Sequence, residues 1–419
     1  MVSSLASGQG KTLVTAALAL RLRWQGKSVR ILKIGADFLD PLILERASGS
    51  PVYQIDLFLL GETQCRDLLA RLAEQVDVLL IEGAMGLFDG TPSAADLALL
   101  FDLPVLAVID ASAMAQSFGA VALGLASYRP GLRLRGALAN RVGHPRHAEL
   151  LRSSLPQGVA WCGSLPPDAR LALPERHLGL QLATEIAGLE QRLSLAASFL
   201  DQEALQLPAA RAFAAAELAP VPALLPGTRI AVAQDDAFCF LYPANCDLLR
   251  AMGAELRFFS PLAGQRLPEC DALWLPGGYP ELHLPALAAN RELLADLGAH
   301  HRAGRPVLAE CGGMLYLCRS LTALDGEVAE LAALLPAAAR MQSGLSALGL
   351  QTVRLPEGEL RGHTFHHSLL QTDLAPIARA LDPGGRLGEP VYRMGRLLAS
   401  YLHLYFPSNP VAVAQIFHP

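Results

Sequence analysis

Short aliphatic runs alternate with longer segments of helical period through the first half of the chain, and this alternation constrains the fold more than any other feature. The runs at 29–34, 76–81 and 105–109 are rich in Val, Ile and Leu and end in turns that contain Gly or Asp. Such runs are typical of buried strands in a parallel sheet, whose carboxyl ends usually carry the chemistry. The pattern predicts a doubly wound α/β domain.

The alternation is interrupted by a segment rich in Ala and Pro, at 205–227. Its periodicity is weak and its prolines disfavour regular structure, which predicts an irregular linker. A strand-like run at 229–233 restarts the alternation, so the second half is expected to be another α/β domain. Additional strands are expected at 271–275, 306–309 and 397–400. We predict a first domain at 1–200, a linker at 201–227 and a second domain at 228–419.

Composition excludes several classes of protein. A chain of 419 residues exceeds the usual size of one core, and 52% hydrophobic with 17% charged residues argues against disorder. The formal net charge is -5 and no basic run occurs, so no nucleic-acid partner is expected. No apolar stretch is long enough to span a bilayer, so no membrane partner is expected. Seven cysteines without a CxxC pair indicate reduced thiols in a cytoplasmic protein.

The segment SGQGKT at 7–12 precedes a helical pattern and has the composition of a phosphate-binding loop. Glycines such as Gly8 and Gly10 let backbone N–H groups close on a phosphate, and a helix N-terminus adds a favourable dipole. Lys11 is expected to contact the β- and γ-phosphates of a nucleotide, and the Thr12 hydroxyl to bind Mg²⁺. This loop predicts an ATP site.

Two features of this loop depart from the usual consensus. Leu5 stands where a Gly or Ala is expected, and only Met1–Ser4 is available for the preceding strand. A glycine-rich helix start with a chance lysine is therefore the alternative interpretation of the segment. The acidic strand ends that follow it in the sequence favour the nucleotide site.

Polar residues follow several of the predicted strands at the place where each ends. Glu82 ends an apolar run, where a carboxylate that positions Mg²⁺ is expected. Asp37 and Asp40 follow another run, and Asp89 lies in a turn shortly after Glu82. Asn140 follows a further run and is a candidate to bind a purine base. Each could instead be a solvated turn residue, but together with a phosphate loop they indicate a nucleotide and metal site.

The sharpest local signal is a strand that leads into Cys311, two glycines and a helical segment. This order is typical of a nucleophile elbow, in which a strained turn presents the sulfur and Gly312 leaves room for a substrate. A helix N-terminus behind the sulfur is expected to favour the thiolate. Cysteines in apolar surroundings are more often inert, and Cys318 is interpreted in that way.

A nucleophilic thiol needs a base, and His403 follows an apolar strand near the end of the chain. A competing cluster of three histidines lies at 363–367, where no cysteine or compact set of carboxylates completes a metal site; we expect a substrate loop there, with His363 as a contact. The Gly277–Gly278 turn could direct backbone N–H groups at an oxyanion. We assign the oxyanion contacts to Gly278 and Gly312.

Nine segments in the same order resemble the cobyrinic acid a,c-diamide synthase family, over nearly the whole chain. They are SGQGKT, GADFLDP, EGAMGLFDG, SAADLALLFDLPVLAVIDAS, AFCFLYPANCDLL, LPGGYPEL, AECGGMLYL, RGHTFHHS and SYLHLYFPSNP. The resemblance implies a dethiobiotin-synthetase-like ATP domain followed by a class I glutamine amidotransferase domain. It also implies amidation of the a and c acetate side chains of a corrin precursor in cobalamin biosynthesis, with ATP and L-glutamine as co-substrates.

The resemblance implies roles for individual residues. Cys311 is the implied glutaminase nucleophile, and His403 raises its reactivity. Lys11, Thr12 and Glu82 are implied to serve ATP and Mg²⁺, and Asp37 and Asp40 to lie beside the activated carboxylate. We also assign Asp37 to Mg²⁺, and Asp40, Asp89 and His363 to the substrate. Four positions depart from the family pattern, namely Ala36 for Pro, Leu44 for His, Thr364 for Glu and Tyr405 for Glu or His. No third member of a Cys–His triad is assigned.

Two alternatives stay open from the sequence. A cobyric acid synthase shares both domain types and amidates other corrin side chains, although its chains are usually longer. A P-loop switch or partitioning ATPase with an inactive second module is the alternative from a different class. Whether the corrin carries cobalt is left open, and a homodimer is the expected assembly.

Overall fold

The described residues, 1–176 and 179–419 of a computed structural model, fall into two units, Met1–Leu218 and Ala219–Pro419. Each unit is built on a sheet with parallel strands and helices on both faces. The predicted α/β class is therefore confirmed for both halves.

The first unit contains a sheet of parallel strands with the order β3-β2-β4-β1-β5-β6-β7. Its strands are β1 (Val2–Ser4), β2 (Val29–Lys33), β3 (Tyr53–Gln54), β4 (Val78–Glu82), β5 (Val105–Asp110), β6 (Leu134–Asn140) and β7 (Ala160–Ser164), and a separate antiparallel pair is formed by β8 (Glu175–Arg176) and β9 (Gly179–Leu180). The short β1 pairs with both β4 and β5, at Val2 with Glu82 and at Ser4 with Val108. Three residues thus suffice to place the phosphate loop at the centre of the sheet.

Helices cover both faces of this sheet. They are α1 (Lys11–Trp24), α2 (Leu39–Ser48), α3 (Gly61–Ala73), α4 (Ala94–Leu100), α5 (Ser117–Ser127), α6 (Pro145–Ser154) and α7 (Leu189–Phe199). One hydrophobic core joins the sheet to α1, α2 and α7, and a second joins its other face to α3 through α6. Since both faces are buried, the strands are aliphatic throughout, as the sequence pattern predicts.

The second unit contains a mixed sheet in the order β11-β10-β12-β13-β22-β21-β20-β17-β18-β23 and a smaller sheet in the order β15-β14-β16-β19. Its strands are β10 (Arg229–Ala233), β11 (Glu255–Phe259), β12 (Ala272–Leu275), β13 (Val307–Glu310), β14 (Ser320–Thr322), β15 (Val328–Glu330), β16 (Ala337–Met341), β17 (Ala347–Leu355), β18 (Gly358–His366), β19 (Ser368–Thr372), β20 (Ala378–Leu381), β21 (Leu387–Met394), β22 (Leu397–Ser400) and β23 (His403–Tyr405). In the mixed sheet, neighbouring strands are parallel from β11 through β10, β12 and β13 to β22. The other neighbours in that sheet pair antiparallel.

Two hydrophobic cores again cover the two faces of the parallel part. The helices are α8 (Pro243–Ala251), α9 (Leu284–Ala289), α10 (Arg291–Arg302), α11 (Gly312–Leu317) and α12 (Pro410–Phe417). The core with α9, α10 and α11 lies on one face, and the core with α8 and α12 lies on the other. The chain order strand, Cys311, helix is the arrangement that the sequence predicts for a nucleophile elbow.

The Ala- and Pro-rich segment forms no helix or strand at residues 206–224, all of which are described. Part of it contacts the first unit, since the Arg211 guanidinium is paired with Asp102 and Phe213 packs on the core of α3 through α6. Across the described ranges, no helix combines the length and the apolar character that crossing a membrane requires.

Candidate active sites

The phosphate loop connects the end of β1 to the start of α1, as its sequence predicts. Gly10 precedes the helix with φ 94°. The Lys11 side chain is buried and its Nζ donates to Ser4 Oγ at 2.9 Å, to the Ala6 carbonyl at 3.0 Å and to the Met85 carbonyl at 2.6 Å. Burial, reinforced by nearby Lys33, lowers the pKa of Lys11 to about 8. Neutral oxygens of β1, the phosphate loop and the loop after β4 thus hold the lysine.

Thr12 and Glu82, which lie 70 residues apart in the chain, are in direct contact. Thr12 Oγ1 donates to Glu82 Oε1 at 3.0 Å. This contact follows from the register of the sheet, because β1 leads to the loop and β4 ends beside it at Glu82. The two residues predicted to serve Mg²⁺ are therefore brought together.

Lys33 lies at the centre of this site, although no sequence motif predicts a role for it. Its Nζ is 2.6 Å from Glu82 Oε1, 2.5 Å from Asp40 Oδ2 and 3.5 Å from Asp37 Oδ2. Burial acts to lower the pKa of Lys33, but the carboxylates outweigh it and hold that pKa well above its usual value. A lysine at the end of an aliphatic strand, four residues before an aspartate, was the available signal.

The three predicted acidic residues near the loop occupy different positions around it. Asp40 is paired directly with Lys33, while burial and the neighbouring Asp40 raise the pKa of Asp37 to about 7. Lys33, which contacts both Asp37 and Glu82, links Asp37 to the Thr12–Glu82 pair. Asp89 Oδ2 accepts the Gly86 N–H at 2.9 Å, in the loop whose Met85 carbonyl holds Lys11.

Asn140 lies at the end of β6 and contacts the phosphate loop. Its Nδ2 donates to the Gln9 carbonyl at 2.9 Å. A Cβ on Gly10 would lie 2.3 Å from that same Nδ2, so a side chain at position 10 would displace the amide. Gln9 also accepts the Asp110 N–H through Oε1 at 2.9 Å. Gly8 lies in the same loop with φ +74° and open space around it.

The residues at this site fit a magnesium ion bound with a nucleotide. Glu82 Oε2 is buried and, over the residues described, makes no hydrogen bond. A hard cation satisfies such an oxygen. In the described part of the chain, no group of three or more His, Cys, Asp or Glu side chains could hold a metal by itself. Mg²⁺ commonly combines one or two protein ligands with phosphate oxygens, which is the set that Thr12 and Glu82 offer.

In the second unit, Cys311 occupies a strained turn between β13 and α11. Its backbone has φ 45° and ψ -109°, outside the regions that side-chain-bearing residues favour. The Cys311 N–H donates to the Ser400 carbonyl at 2.7 Å, at the end of the neighbouring β22. The cysteine retains 5% of its surface. This geometry is the predicted nucleophile elbow.

His403 and Gly312, the residue directly after Cys311, both pack on the Gly277–Gly278 turn. A Cβ on Gly277 would lie 2.2 Å from His403 Cε1, so the imidazole packs directly on the glycine. On the other side, a Cβ on Gly312 would lie 3.0 Å from the Gly278 backbone N and O. Close packing without side chains at these positions brings the two predicted oxyanion residues together beside the predicted nucleophile and base.

The groups of this second site are held in their neutral forms. Burial, followed by the charge of Glu281, raises the pKa of the Cys311 thiol. Burial, followed by the neighbouring His363, lowers the pKa of His403 well below its usual value. The Gly312 N–H at the start of α11 acts to lower the pKa of the Cys311 thiol, which is the direction expected of a helix N-terminus. The helix has six residues, and burial outweighs its contribution.

The histidine cluster is not a substrate loop, and that expectation is wrong. Residues Gly358–His366 form β18, and the His363 ring stacks on His403 with centroids 5.0 Å apart. His363 Nδ1 lies 2.9 Å from Tyr242 Oη, and burial lowers the His363 pKa to about 3. The alternation of side chains along a strand buries positions that a loop would expose.

The substituted position Thr364 is also part of a buried polar network. Thr364 Oγ1 donates to Glu389 Oε1 at 3.1 Å, and His366 Nε2 lies 3.0 Å from the same oxygen. The His366 ring stacks on Tyr401, with centroids 3.6 Å apart. Glu389 was missed in the sequence because it lies in an irregular polar stretch without a motif.

All seven cysteines are free thiols, and Cys318 is fully buried, as the sequence predicts for an inert core residue.

Comparisons with known proteins agree with this two-site arrangement. Residues 1–180 match the CobQ/CobB/MinD/ParA nucleotide binding domain, and residues 229–411 match the CobB/CobQ-like glutamine amidotransferase domain. Together these matches cover most of the chain.

Full-length relatives extend the agreement. The hydrogenobyrinate a,c-diamide synthase of Stutzerimonas stutzeri is 58% identical over 100% of this chain and 98% of its own. The protein of the same name from Pseudomonas aeruginosa is 56% identical, over 100% and 97%. The cobyrinate a,c-diamide synthase of Herminiimonas arsenicoxydans is 47% identical, over 100% and 96%. The chain therefore belongs to the cobyrinate and hydrogenobyrinate a,c-diamide synthase family.

Proposed function

We propose that this protein uses ATP and glutamine to amidate the a and c acetate carboxylates of a corrin precursor in cobalamin biosynthesis. The observation that carries the proposal is one glycine turn on which both His403 and Gly312, the residue directly after Cys311, are packed. The other unit of the chain places a lysine-containing phosphate loop at the end of a sheet. The names of the full-length relatives support the acceptor.

The second unit is proposed to release ammonia from glutamine. The Cys311 sulfur attacks the amide carbon while the neutral imidazole of His403 accepts the thiol proton. A neutral imidazole is required for that step, and the lowered pKa of His403 supplies it at neutral pH. The proton then passes to the leaving nitrogen, ammonia departs, and water hydrolyses the thioester to glutamate. Backbone N–H groups of Gly278 and Gly312 are proposed to hold the oxyanion.

The first unit is proposed to activate the acceptor. ATP transfers its γ-phosphoryl group to an acetate carboxylate, because phosphate is a far better leaving group than oxide; ammonia then displaces the phosphate and forms the amide. Lys11 would contact the transferring phosphoryl group, and Asn140 lies where it can support the bound nucleotide. Thr12 and Glu82 would hold Mg²⁺, which neutralises phosphate charge when bound.

The residues beside that site are assigned to the acceptor and the metal. Asp40 and Asp89 are proposed to contact the corrin. Asp37, which contacts Lys33, is proposed to contribute to the metal site. We no longer assign His363 to the substrate, because its side chain is buried against His403. The two relatives of higher identity are named for hydrogenobyrinate, so we propose the metal-free corrin as the acceptor. The homodimer and the cytoplasmic location stay predictions.

The direct test supplies purified protein with ATP, MgCl₂, amide-¹⁵N-glutamine and either hydrogenobyrinate or cobyrinate. We expect two ¹⁵N amides in the corrin product by mass spectrometry, with glutamate release matched to amide formation. Faster turnover of the metal-free acceptor would support our assignment, and faster turnover of cobyrinate would reverse it. ATP hydrolysis without amide formation on either acceptor would contradict the proposed function and favour a P-loop ATPase.

A further inference from the structure

The strand that carries His403 lies at the last position of the mixed sheet, yet it contacts the strand that leads to Cys311. The sheet order runs from β13 through β22 and the antiparallel strands to β23. The side chain of Glu310, the last residue of β13, nevertheless reaches β23. Its Oε1 accepts the Leu404 N–H at 2.7 Å. The sheet therefore curls until its last strand returns beside the strand of the nucleophile.

Side chains rather than a neighbouring strand bind the outer edge of β23. β23 pairs with β18 on one side, with His403 opposite His363. At Leu404 the N–H is bound by Glu310, and the carbonyl accepts Asn245 Nδ2 at 2.8 Å. Buried backbone groups at a sheet edge need such partners. Glu310 thus occupies the place that a further strand would take.

The Glu310 carboxyl group is itself held in place from a third strand. Its Oε2 accepts the Trp274 Nε1–H at 2.9 Å, and Trp274 lies in β12, fully buried against Phe406. Glu310 is 2% exposed, so its carboxyl group is buried in the core. Both oxygens of the group therefore accept hydrogen bonds whose donors are fixed by the core.

We propose that Glu310 is a positioning residue that holds the His403 strand at the distance and angle that the Cys311 turn requires. Glu310 precedes Cys311 directly, and its partner Leu404 follows His403 directly. A second link between these segments is the ladder of β13 with β22, which continues in the bond from the Cys311 N–H to the Ser400 carbonyl, where the chain leaves β22. β18 and Asn245 also hold β23, and the Glu310 bond fixes that strand relative to the residue that precedes Cys311. This proposal rests on the proposed glutaminase function.

The first test replaces Glu310 with alanine and compares it with Glu330→Ala, a change at an exposed glutamate of the same unit. Because a small displacement of a base is costly, we expect glutaminase kcat to fall about 100-fold in Glu310→Ala. The KM for glutamine should change less than about threefold, since glutamine binding is not touched. Synthesis supported by added ammonia should be unchanged. A kcat within about threefold of the wild type would overturn the proposal.

A second measurement separates positioning from general damage. Rates of Cys311 alkylation by iodoacetamide and of glutamine hydrolysis are compared for Glu310→Ala in the wild-type and His403→Ala backgrounds. If Glu310 acts through His403, its removal should cause no further loss once His403 is absent. An equal loss in both backgrounds would show a structural effect independent of His403 and overturn the proposal.

A conservative pair keeps the test decisive if the alanine variant does not fold. In Glu310→Gln one amide oxygen replaces two acceptors, so the NH₂ group must face either the Trp274 or the Leu404 donor. We expect reduced glutaminase activity in Glu310→Gln and partial recovery in Glu310→Gln with Trp274→Phe, where the remaining acceptor is free for Leu404. A double variant no more active than Glu310→Gln would contradict the proposal.

The controls distinguish failure of this inference from failure of the proposed function. Cys311→Ser is assayed in the same series. If Cys311→Ser still hydrolyses glutamine, the glutaminase assignment itself is wrong. If Cys311→Ser is inactive while the Glu310 variants hydrolyse glutamine as the wild type does, only the positioning role is wrong.

Discussion

Both candidate sites lie where parallel strands end, but their electrostatics are opposite. In the first unit, Lys33 is buried among the carboxylates of Asp40 and Glu82 as charged partners. In the second unit, the thiol of Cys311 and the imidazole of His403 are buried with their pKa values shifted toward the neutral forms. One fold class thus supports an ionic site and a neutral site in the same chain.

The difference follows from the chemistry that each site is proposed to perform. A nucleotide binds with several negative charges and an accompanying cation. A site that already contains buried charges of both signs can exchange its internal ion pairs for pairs with the nucleotide and the cation. Glutamine is uncharged at the reacting amide, and its attack needs a proton acceptor rather than a counter-ion. Changes at the two sites are therefore expected to affect separate activities.

The largest effect is expected in the second unit, where the catalytic groups are neutral. His403→Ala removes the proton acceptor, and general acid–base catalysis contributes about 10²- to 10⁴-fold, so glutamine hydrolysis should fall about 1,000-fold. Amide synthesis from added ammonia should continue at the wild-type rate. Glutamate release and corrin amidation are measured on the same preparation. The exposed His418 provides the control variant, His418→Ala.

The opposite outcome is informative as well. If His403→Ala also abolished ammonia-supported synthesis, the two sites would not be chemically separate, and the contrast drawn above would fail. If His418→Ala reduced hydrolysis to the same degree, the effect would not be specific to the imidazole beside Gly277.

A smaller effect is expected in the first unit, where Lys33 is buried among charged partners. Lys33→Met leaves buried carboxylates without their cation, and breaking a buried ion pair by removing one partner costs about 3 kcal/mol. We expect the urea concentration at the unfolding midpoint of the first unit to fall. Hydrogen exchange of peptides from each unit measures the two midpoints separately. The second unit and its glutamine hydrolysis should be unchanged. Lys27→Met, at an exposed lysine, is the matched control. A Lys33→Met protein as stable as Lys27→Met would show that the cluster is not held by ion pairing.

Much of the fold could be predicted because its strands are aliphatic and punctuated by glycine and aspartate. The strands Arg229–Ala233 and Leu397–Ser400 have the predicted bounds, and β13 ends within one residue of its expected position. The antiparallel strands β17 to β21 and the smaller sheet were not predicted. Their side chains mix polar and apolar residues on partly exposed faces, so their periodicity is weaker than that of buried parallel strands.

The candidate sites could be predicted where a residue lies at the end of a strand, as with Glu82 and Cys311, or in the phosphate-loop motif, as with Thr12. Lys33 was missed because its partners come from two other segments, which only the sheet register brings together. The histidine cluster was misassigned because its glycine and polar residues resemble a loop. Glu310 was overlooked beside a stronger signal, and its bond to Leu404 depends on the curl of the sheet.

The most direct test of the central claim compares nitrogen sources in the Cys311→Ser protein. With ATP, MgCl₂ and hydrogenobyrinate, we expect no corrin amide from glutamine and wild-type amide formation from ammonium chloride. The loss with glutamine should be at least about 1,000-fold, since serine at this site lacks the nucleophilicity of the thiol. Amide formation from glutamine at the wild-type rate in Cys311→Ser would contradict the account.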